Sequence, residues 1–505
     1  MAPRPVEIAL ATLVAGLVLV PLAMVIWRAG GLGALGGLGA ADYAAIRFSL
    51  WQAVLSATIS VVLAIPVARA LARRQFPLRG ALITLLGAPF ILPVIVAVLG
   101  LLAVFGQSGV VSQLLQAVGL PPLSIYGLHG VVLAHVFFNL PLATRLILQG
   151  WLAIPAERFR LAATLNLPPS AMFRLIEGPM LRSVLPGAFV VIFVICLSSF
   201  AVALTLGGGP AATTVELAIY QAFRFDFDLA HAATLSLVQL GLAGLAGLLA
   251  LRMALPTGMG AGLDRVVHRW DRGSAWLDGL CIGAVALFLL LPLSMILAKG
   301  VPGLFDLPAS IWQAALYSII VAIVSTALCL AIALPLCGSL GATVGLIGIA
   351  ISPLVLGTGL FLLVLPFANP FDLALPVTAM VNTLMSLPFV LRALSPAVTE
   401  LRTDYGRLSQ SLGLIGLRWW WRIGVPRLRR PIGFSAGLTA ALSMGDLGVI
   451  TLFADPDRAT LPLQMYRLMG AYRMDAAAGA AVLLLGLSLG LFWLFDRGAR
   501  VNADV

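Results

Sequence analysis

Charged residues are scarce in this chain of 505 residues: they make up 10% of it, whereas 61% of the residues are hydrophobic. The mean hydropathy is +1.06. Ordinary soluble domains carry about 25% charged residues, and a disordered chain needs low hydrophobicity with high net charge. Because backbone groups in lipid must be hydrogen-bonded within the segment that carries them, the long apolar runs predict helices. The composition thus predicts an all-α polytopic membrane protein whose surroundings are the lipid bilayer.

Cysteine, histidine and lysine are also rare, and their placement excludes several kinds of site. The four cysteines lie in or beside apolar stretches without CxxC spacing, and the four histidines are scattered, so we expect neither a disulfide framework nor a metal site. The single lysine, Lys299, precedes Gly300 and Val301. A phosphate-binding Walker A loop requires Gly-Lys-Ser/Thr. We expect no cofactor and no catalytic residue in this chain, and any ATP hydrolysis belongs to another subunit.

Apolar runs of about the 20 residues that cross a bilayer predict twelve spans in two sets of six. The first set falls at about 8–27, 51–72, 81–105, 128–152, 184–205 and 231–251. The second set falls at about 277–298, 312–336, 343–367, 373–396, 433–453 and 474–495.

The net charge of +11 is distributed as membrane topology requires. With both termini in the cytoplasm, the inner side carries +14 and the outer side −3. Cytoplasmic loops of membrane proteins are enriched in arginine and lysine. This distribution predicts an inner-membrane protein with both termini inside. No basic patch stands apart from the spans, so we expect no nucleic-acid partner.

The two sets of spans repeat one another. A shift of 247 residues aligns Pro141 with Pro388, Arg145 with Arg392, and Pro179 with Pro426. Nearer the N-terminus a shift of 261 pairs Trp51-Gln52 with Trp312-Gln313, so we expect the second repeat to lack about 14 residues in the outer loop around 106–124. Repeats of one direction predict a pseudo-two-fold axis along the membrane normal. The predicted domains are a first repeat at 1–252, a cytoplasmic linker at 253–276, a second repeat at 277–496 and a cytoplasmic tail at 497–505.

The longest inner loop of each repeat, about 153–182 and 397–432, shows a common pattern. An amphipathic segment is followed by Asn166 in the first loop and Gly413 in the second, and Ile-x-x-Pro comes later. Asparagine and glycine tolerate the left-handed conformation that ends a helix. Each loop is therefore predicted to form a short helix, a sharp turn and a second helix that enters the membrane.

These loops resemble the EAA loops of importer-type ABC transporter permeases, whose Gly-to-Pro spacing of thirteen recurs from Asn166 to Pro179 and from Gly413 to Pro426. The sequence departs from the motif where Arg160 and Arg407 replace its glutamate. The resemblance implies the fold of type I ABC importer permeases. It also implies that the loops dock on two copies of a cytoplasmic ABC ATPase. The implied coupling residues are Glu157, Arg160, Leu161, Ala162, Asn166, Ile176, Pro179, Asp404, Arg407, Leu408, Ser409, Gly413, Ile423 and Pro426.

Two further stretches, 205–221 and 443–473, are similar to the fused permeases of bacterial thiamine and thiamine pyrophosphate importers. That resemblance covers essentially the whole chain and implies a periplasmic substrate-binding protein as a partner. Fused iron(III) permeases share the architecture and are the nearest alternative. A second alternative, from another class, is an ion-coupled secondary transporter, which would need no ATPase and no repeated docking loop.

Polar residues inside spans often line a transport pathway. The candidates here are His135, Asn139, Ser198, Ser199, Asn382, Ser386 and Asp446. For the histidine, the asparagines and Ser386, hydrogen bonds between helices are the favoured interpretation. Asp446 either attracts a cationic substrate or ends its span near the outer surface, where Ser443 is its local partner. Acidic outer residues, including Glu216, either receive the binding protein or belong to a solvated loop.

Overall fold

The computed structural model describes residues 5–252, 274–337, 351–414, 416–453 and 458–500. Within these ranges the chain is helical and forms no strand. The first half contains α1 (Pro5–Ala29), α2 (Ala40–Arg73), α3 (Arg79–Leu85), α4 (Val94–Phe105), α5 (Val110–Ala117), α6 (Leu128–Leu152), α7 (Ala156–Thr164), α8 (Gly178–Leu197), α9 (Phe200–Leu206), α10 (Val215–Arg224) and α11 (Leu229–Arg252).

The second half repeats this order with fewer short helices. It contains α12 (Ala275–Gly303), α13 (Ala309–Leu336), α14 (Pro353–Val364), α15 (Ala374–Ser411), α16 (Arg429–Met444), α17 (Gly448–Phe453), α18 (Leu461–Gly470) and α19 (Met474–Arg500). Among the described residues, eleven helical segments are long and apolar enough to cross a membrane, and α14 is a shorter apolar helix. The prediction of an all-α membrane protein with about twelve spans is confirmed.

Several spans are interrupted where the sequence predicted continuous helices. The third span, expected at 81–105, is broken into α3, a 3-10 turn at Ala88–Phe90 and α4, because Pro89 and Pro93 remove backbone donors and restrict the preceding residues. The fifth span divides between α8 and α9, and the eleventh divides between α16 and α17. Interrupted helices leave backbone groups available inside the membrane.

The tenth span also differs from its prediction. The sequence placed it at 373–396 and predicted a separate short helix in the following loop. In the structure α15 runs without interruption from Ala374 to Ser411, with Pro388 and Pro396 inside it. The corresponding segment of the first half is divided into α6 and α7 by a break that includes Pro155. The second loop therefore begins as a continuation of its span helix, whereas a break, the joint of the first loop, separates α7 from α6.

Equivalent contacts relate the two halves, and they correct one alignment made from the sequence. The Ser49 hydroxyl accepts a hydrogen bond from the Val215 amide at 2.8 Å, and the Ser318 hydroxyl accepts one from the Leu461 amide at 2.8 Å. The shift in this helix is thus 269 residues, which also aligns Pro66 with Pro335. The pairing of Trp51-Gln52 with Trp312-Gln313 was wrong, and so was the deficit of about 14 residues in the second repeat that was calculated from it. Both tryptophans are exposed at 57% and 53%, and tryptophan is favoured at a membrane interface whatever the helix register.

The halves are interlocked through their first helices. The helix α1 packs on α14 of the other half, and α12 packs on α4. Two glycines permit these close approaches: a Cβ at Gly359 would collide with the Pro21 carbonyl, and one at Gly100 would lie 2.8 Å from the Pro292 carbonyl. At the end of α2, Arg74 forms an ion pair with Asp278 of α12 at 2.8 Å. Each half thus needs the other to cover its third span.

Some predicted boundaries lie outside the described residues. These are the linker at 253–273, the beginning of the ninth span at 343–350 and the end of the tail at 501–505. The proposed limits of the two repeats, the linker and the tail stay predictions.

Candidate coupling surface and substrate pathway

The first inner loop presents a short helix with one buried and one exposed face. In α7, Phe159 is fully buried and Ala162 is 2% exposed, so these residues attach the helix to the spans. On the other face Leu161 and Leu165 are exposed at 61% and 62%. Glu157 and Arg160 are exposed beside them. Apolar residues four positions apart form a stripe along a helix.

The second inner loop repeats that surface at the end of α15. Leu408 and Leu412 are exposed at 50% and 61%, and Asp404 and Arg407 are exposed next to them. We name these eight residues, four on each loop, the twin loop surfaces. None of their four charged residues forms an ion pair with another described residue. A leucine stripe bordered by unpaired charges is typical of a protein interface.

A left-handed residue ends each loop helix. Asn166 has φ +49° and Gly413 has φ +63°. The following amides close the turns in the same way, with the Leu167 amide donating to the Ala162 carbonyl at 3.0 Å and the Leu414 amide donating to the Ser409 carbonyl at 2.8 Å. This six-residue closure is the hydrogen bond of a Schellman turn. The predicted sharp turn occurs at both positions.

A π-helical turn follows in each loop, Phe173–Glu177 in the first and Trp420–Gly424 in the second. Ile176 is buried in the first turn, and Ile423 is half-buried in the second. Pro179 and Pro426 lie two residues beyond, and a proline cannot donate the backbone bond that a regular helix requires there. Widened turns of this kind are often found at functional sites. They join the loop surfaces to α8 and α16.

Different side chains hold the two loops. In the first, Arg69 of α2 forms an ion pair at 2.8 Å with the fully buried Glu177, and the Trp151 indole lies 3.4 Å from the same carboxylate. In the second, the Trp419 indole donates to the Ser409 hydroxyl at 3.1 Å. Ser409 and Ala162 therefore face the protein, whereas the sequence had grouped both with the docking residues.

The polar span residues of the first half lie close together between α2, α6 and α8. His135 Nδ1 is 3.3 Å from the Ser56 hydroxyl. The Asn139 amide donates to the His135 carbonyl at 2.9 Å and to Cys196 Sγ at 3.3 Å. The Gln52 amide donates to the Cys196 carbonyl at 2.9 Å. These contacts join three spans.

The second half has an equivalent cluster. The Asn382 amide donates to the Ser443 hydroxyl at 3.0 Å, and that hydroxyl donates to Ser325 at 3.2 Å. Ser325 corresponds to Ser56 under the corrected shift, and Ser386 is buried one turn beyond Asn382. Sequence reasoning missed Ser56 and Ser325, although their repetition at a shift of 269 residues carried the signal.

The remaining pathway candidates lie at the helix breaks. Ser198 and Ser199 separate α8 from α9 and are half-buried, and Asp446 lies between α16 and α17. Asp446 Oδ1 accepts a hydrogen bond from the Gly448 amide at 3.2 Å, and its Oδ2 is buried without a partner among the described residues. Asp446 therefore partners α17 rather than the Ser443 side chain.

The structure buries Glu216, whereas the sequence indicated an exposed position in an outer loop. It is 1% exposed and is therefore not accessible to a binding protein in this conformation. Its helix, α10, is buried on nearly all sides. The composition of an outer connection between two spans does not reveal such burial. Among the described residues, no group of three histidine, cysteine or acidic side chains is placed to hold a metal ion.

Comparisons with known proteins place this architecture in a family. No protein-family model matches the chain. The thiamine transport system permease protein ThiP of Salmonella typhimurium is 39% identical over 485 residues, which cover 91% of this chain and 90% of the relative. ThiP of Brucella abortus is 37% identical over 478 residues, which cover 91% and 88%. The molybdenum transport system permease protein ModB of Azotobacter vinelandii is 32% identical over 178 residues, which cover 35% of this chain and 78% of the relative.

The relatives match nearly the whole chain, and their names agree with the helical membrane architecture described above. The chain is therefore a multi-pass inner-membrane protein, and it belongs to the family of thiamine transport system permease proteins.

Proposed function

We propose that the chain is the permease subunit of an ATP-driven importer that carries thiamine compounds from a periplasmic binding protein to the cytoplasm. The observation that carries this proposal is the twin loop surfaces, with exposed leucine pairs at equivalent positions of the two halves. A secondary transporter has no need of two matched docking surfaces. The permease itself performs no chemistry, requires no cofactor, and is driven by ATP that a separate subunit hydrolyses.

Each loop surface docks one copy of a cytoplasmic ATPase. The leucine stripes supply the apolar contact, and Glu157, Arg160, Asp404 and Arg407 supply charge-assisted hydrogen bonds at its border. Because α15 is continuous, movement of the second loop transmits directly to its span. Movement of the first loop transmits through the π-helical turn and the Arg69–Glu177 ion pair. Closure of the two ATPases would thereby separate or join the two halves.

The binding protein docks on the opposite face of the membrane. The net charge of +14 on the loop-surface side and −3 on the other side supports cytoplasmic loops and cytoplasmic termini. The loaded binding protein releases substrate between the halves, and alternating access follows from the two arrangements that the halves adopt.

The substrate class is supported by the thiamine relatives and by Asp446. Thiamine carries a permanent positive charge on its thiazolium ring, and Asp446 offers a buried carboxylate oxygen that has no partner among the described residues. A carboxylate inside a membrane protein is costly, so its presence there points to a function. Iron(III), the alternative substrate, has no support among these relatives.

Uptake in a bacterial host that lacks its own thiamine importer tests the proposal. The host would express the chain together with its ATPase and binding protein, and radiolabelled thiamine, thiamine pyrophosphate and iron(III) would be compared. We expect accumulation of thiamine compounds that stops when the ATPase is inactivated. Accumulation of iron without thiamine would overturn the substrate. Thiamine uptake that persists without the ATPase but stops with a proton uncoupler would overturn the class of transporter.

A further inference from the structure

The short helix α10 lies at the boundary between the two halves. Its Phe223 ring packs edge-on against Phe361 of α14 at a centroid distance of 4.5 Å, and Phe361 in turn packs against Phe453 of α17 at 5.3 Å. Glu216 and Tyr220 lie seven and three residues before Phe223. This spacing places all three on one face of the helix. The face that meets the second half thus carries a carboxylate at its beginning.

Glu216 is a buried carboxylate with polar neighbours from both halves of the chain, Gln239 of α11 and Ser352 at the beginning of α14. The side chain is 1% exposed, and Oε1 accepts a hydrogen bond from Gln239 at 3.1 Å. Oε2 is buried and forms no hydrogen bond of standard geometry among the described residues, with the Ser352 hydroxyl as its polar neighbour. Gln239 Oε1 is also buried without a hydrogen bond there. The Gln239 amide also donates at 3.1 Å to the carbonyl of Leu197, the last residue before the break in the fifth span. A buried carboxylate oxygen without a hydrogen bond is destabilising, and a use of that oxygen in another state of the protein would explain why it is retained.

Glu216 and Asp446 belong to elements that both pack on α14. The Ser352 hydroxyl, at the beginning of α14, is next to Glu216, and at the far end Phe361 contacts both Phe223 and Phe453. The helices α10, α14 and α17 therefore run side by side in the same direction. Glu216 precedes most of α10, and Asp446 directly precedes α17. Each acid thus lies at or before the beginning of a helix that packs on α14, one from each half of the chain.

The fold itself does not require the charge of Glu216. The second half builds the equivalent helix α18 behind Thr460, just as α10 follows Thr214. The position that corresponds to Glu216 is Pro462. One half therefore builds the same element with an apolar residue, and the carboxylate serves something other than the helix.

We propose that Glu216 is a second substrate-binding residue, which together with Asp446 receives a monovalent organic cation between the two halves. The inference rests on the proposed function, because thiamine is such a cation. A quaternary nitrogen donates no hydrogen bond, so it is recognised by nearby negative charge. In the conformation described here the halves are closed over the carboxylate. Their separation at the outer side exposes the carboxylate to the substrate.

Two conservative variants distinguish this proposal from a purely structural tie between α10 and α11. The complete importer would be reconstituted in vesicles with saturating loaded binding protein, and the initial rate of thiamine uptake would be measured. Glu216→Gln keeps the length of the side chain and the acceptor for Gln239 but removes the charge. Glu216→Asp keeps the charge but shortens the reach to Gln239. If the charge matters, Glu216→Gln lowers uptake about tenfold or more, the scale of one charged contact, and Glu216→Asp retains more uptake than Glu216→Gln.

The opposite order, with Glu216→Gln near the wild-type rate and Glu216→Asp lower, would overturn the proposal, as would equal loss in two well-folded variants. Gln239→Leu gives a second result if either variant fails to assemble. It leaves the Glu216 carboxylate in place and removes its hydrogen bond to α11. We expect at least half of the wild-type uptake, and complete loss would contradict the proposal. Asp42→Asn is the matched control, because Asp42 is also a buried carboxylate of the first half but pairs with His231 at 3.1 Å. Failure of the wild-type importer to accumulate thiamine would instead refute the proposed function.

Discussion

The exposed leucines of the first loop allow the docking of the ATPase to be tested quantitatively. We expect the double substitution L161A/L165A to weaken binding of the ATPase to that loop. The two side chains are exposed at 61% and 62%, so most of their apolar surface is available for burial by a partner. Complete burial of a leucine contributes about 1.5–3 kcal/mol. Truncation of both to alanine should cost about 2–3 kcal/mol, which corresponds to a roughly 30- to 150-fold weaker affinity.

The assay measures the dissociation constant of the purified ATPase for the detergent-solubilised permease. Every permease compared carries L408A/L412A, so that binding depends on the first loop. A matched control is L245A/L248A, because Leu245 and Leu248 of α11 are exposed to the same extent, at 65% and 61%, but lie in a membrane span. The control should bind the ATPase as the wild type does. Equal affinity of L161A/L165A and the control would refute the docking surface.

Three further substitutions test the joints and the pathway. Gly413→Pro cannot adopt φ +63° and loses the hydrogen bond that the Gly413 amide donates to the Gln410 carbonyl. We expect ATP hydrolysis without uptake in correctly inserted protein, and normal coupling would contradict this. Arg69→Met removes the 2.8 Å ion pair with the buried Glu177 and should cost about 2 kcal/mol of stability, seen as a lower midpoint of thermal unfolding; an unchanged midpoint would contradict the role of the ion pair. Asp446→Asn should lower thiamine uptake about tenfold without weakening ATPase binding, and wild-type uptake would exclude it from the pathway.

Much of the architecture was predictable because long apolar runs in a membrane permit few structures. The helix α6 has the predicted bounds, Leu128–Leu152. The turns at Asn166 and Gly413 were predictable for a local reason, since few other residues adopt a left-handed conformation at the end of a helix. The spacing of the loop motif thus predicted where each loop helix ends, because backbone conformation alone decides that position.

The breaks and side-chain partners were not predictable in the same way. Hydropathy does not report where a span is interrupted, so the division between α8 and α9 at Ser198 and Ser199 was read as continuous helix. The burial of Glu216 depends on contacts with α11 and α14, which are distant in sequence. Leu165 and Leu412 align between the repeats, but the predicted coupling residues omitted them, because the sequence alone does not show which face of each loop helix is exposed.

The most direct test of the account is thiamine transport by the importer in sealed vesicles, with the ATPase on the side of the twin loop surfaces and the binding protein on the other. The account predicts that thiamine moves toward the ATPase side only when ATP and both partners are present. It also predicts that truncation of both leucine pairs, Leu161 with Leu165 and Leu408 with Leu412, abolishes this movement in assembled membranes. Thiamine movement that needs no ATPase, or that survives loss of both leucine pairs unchanged, would contradict the central claim.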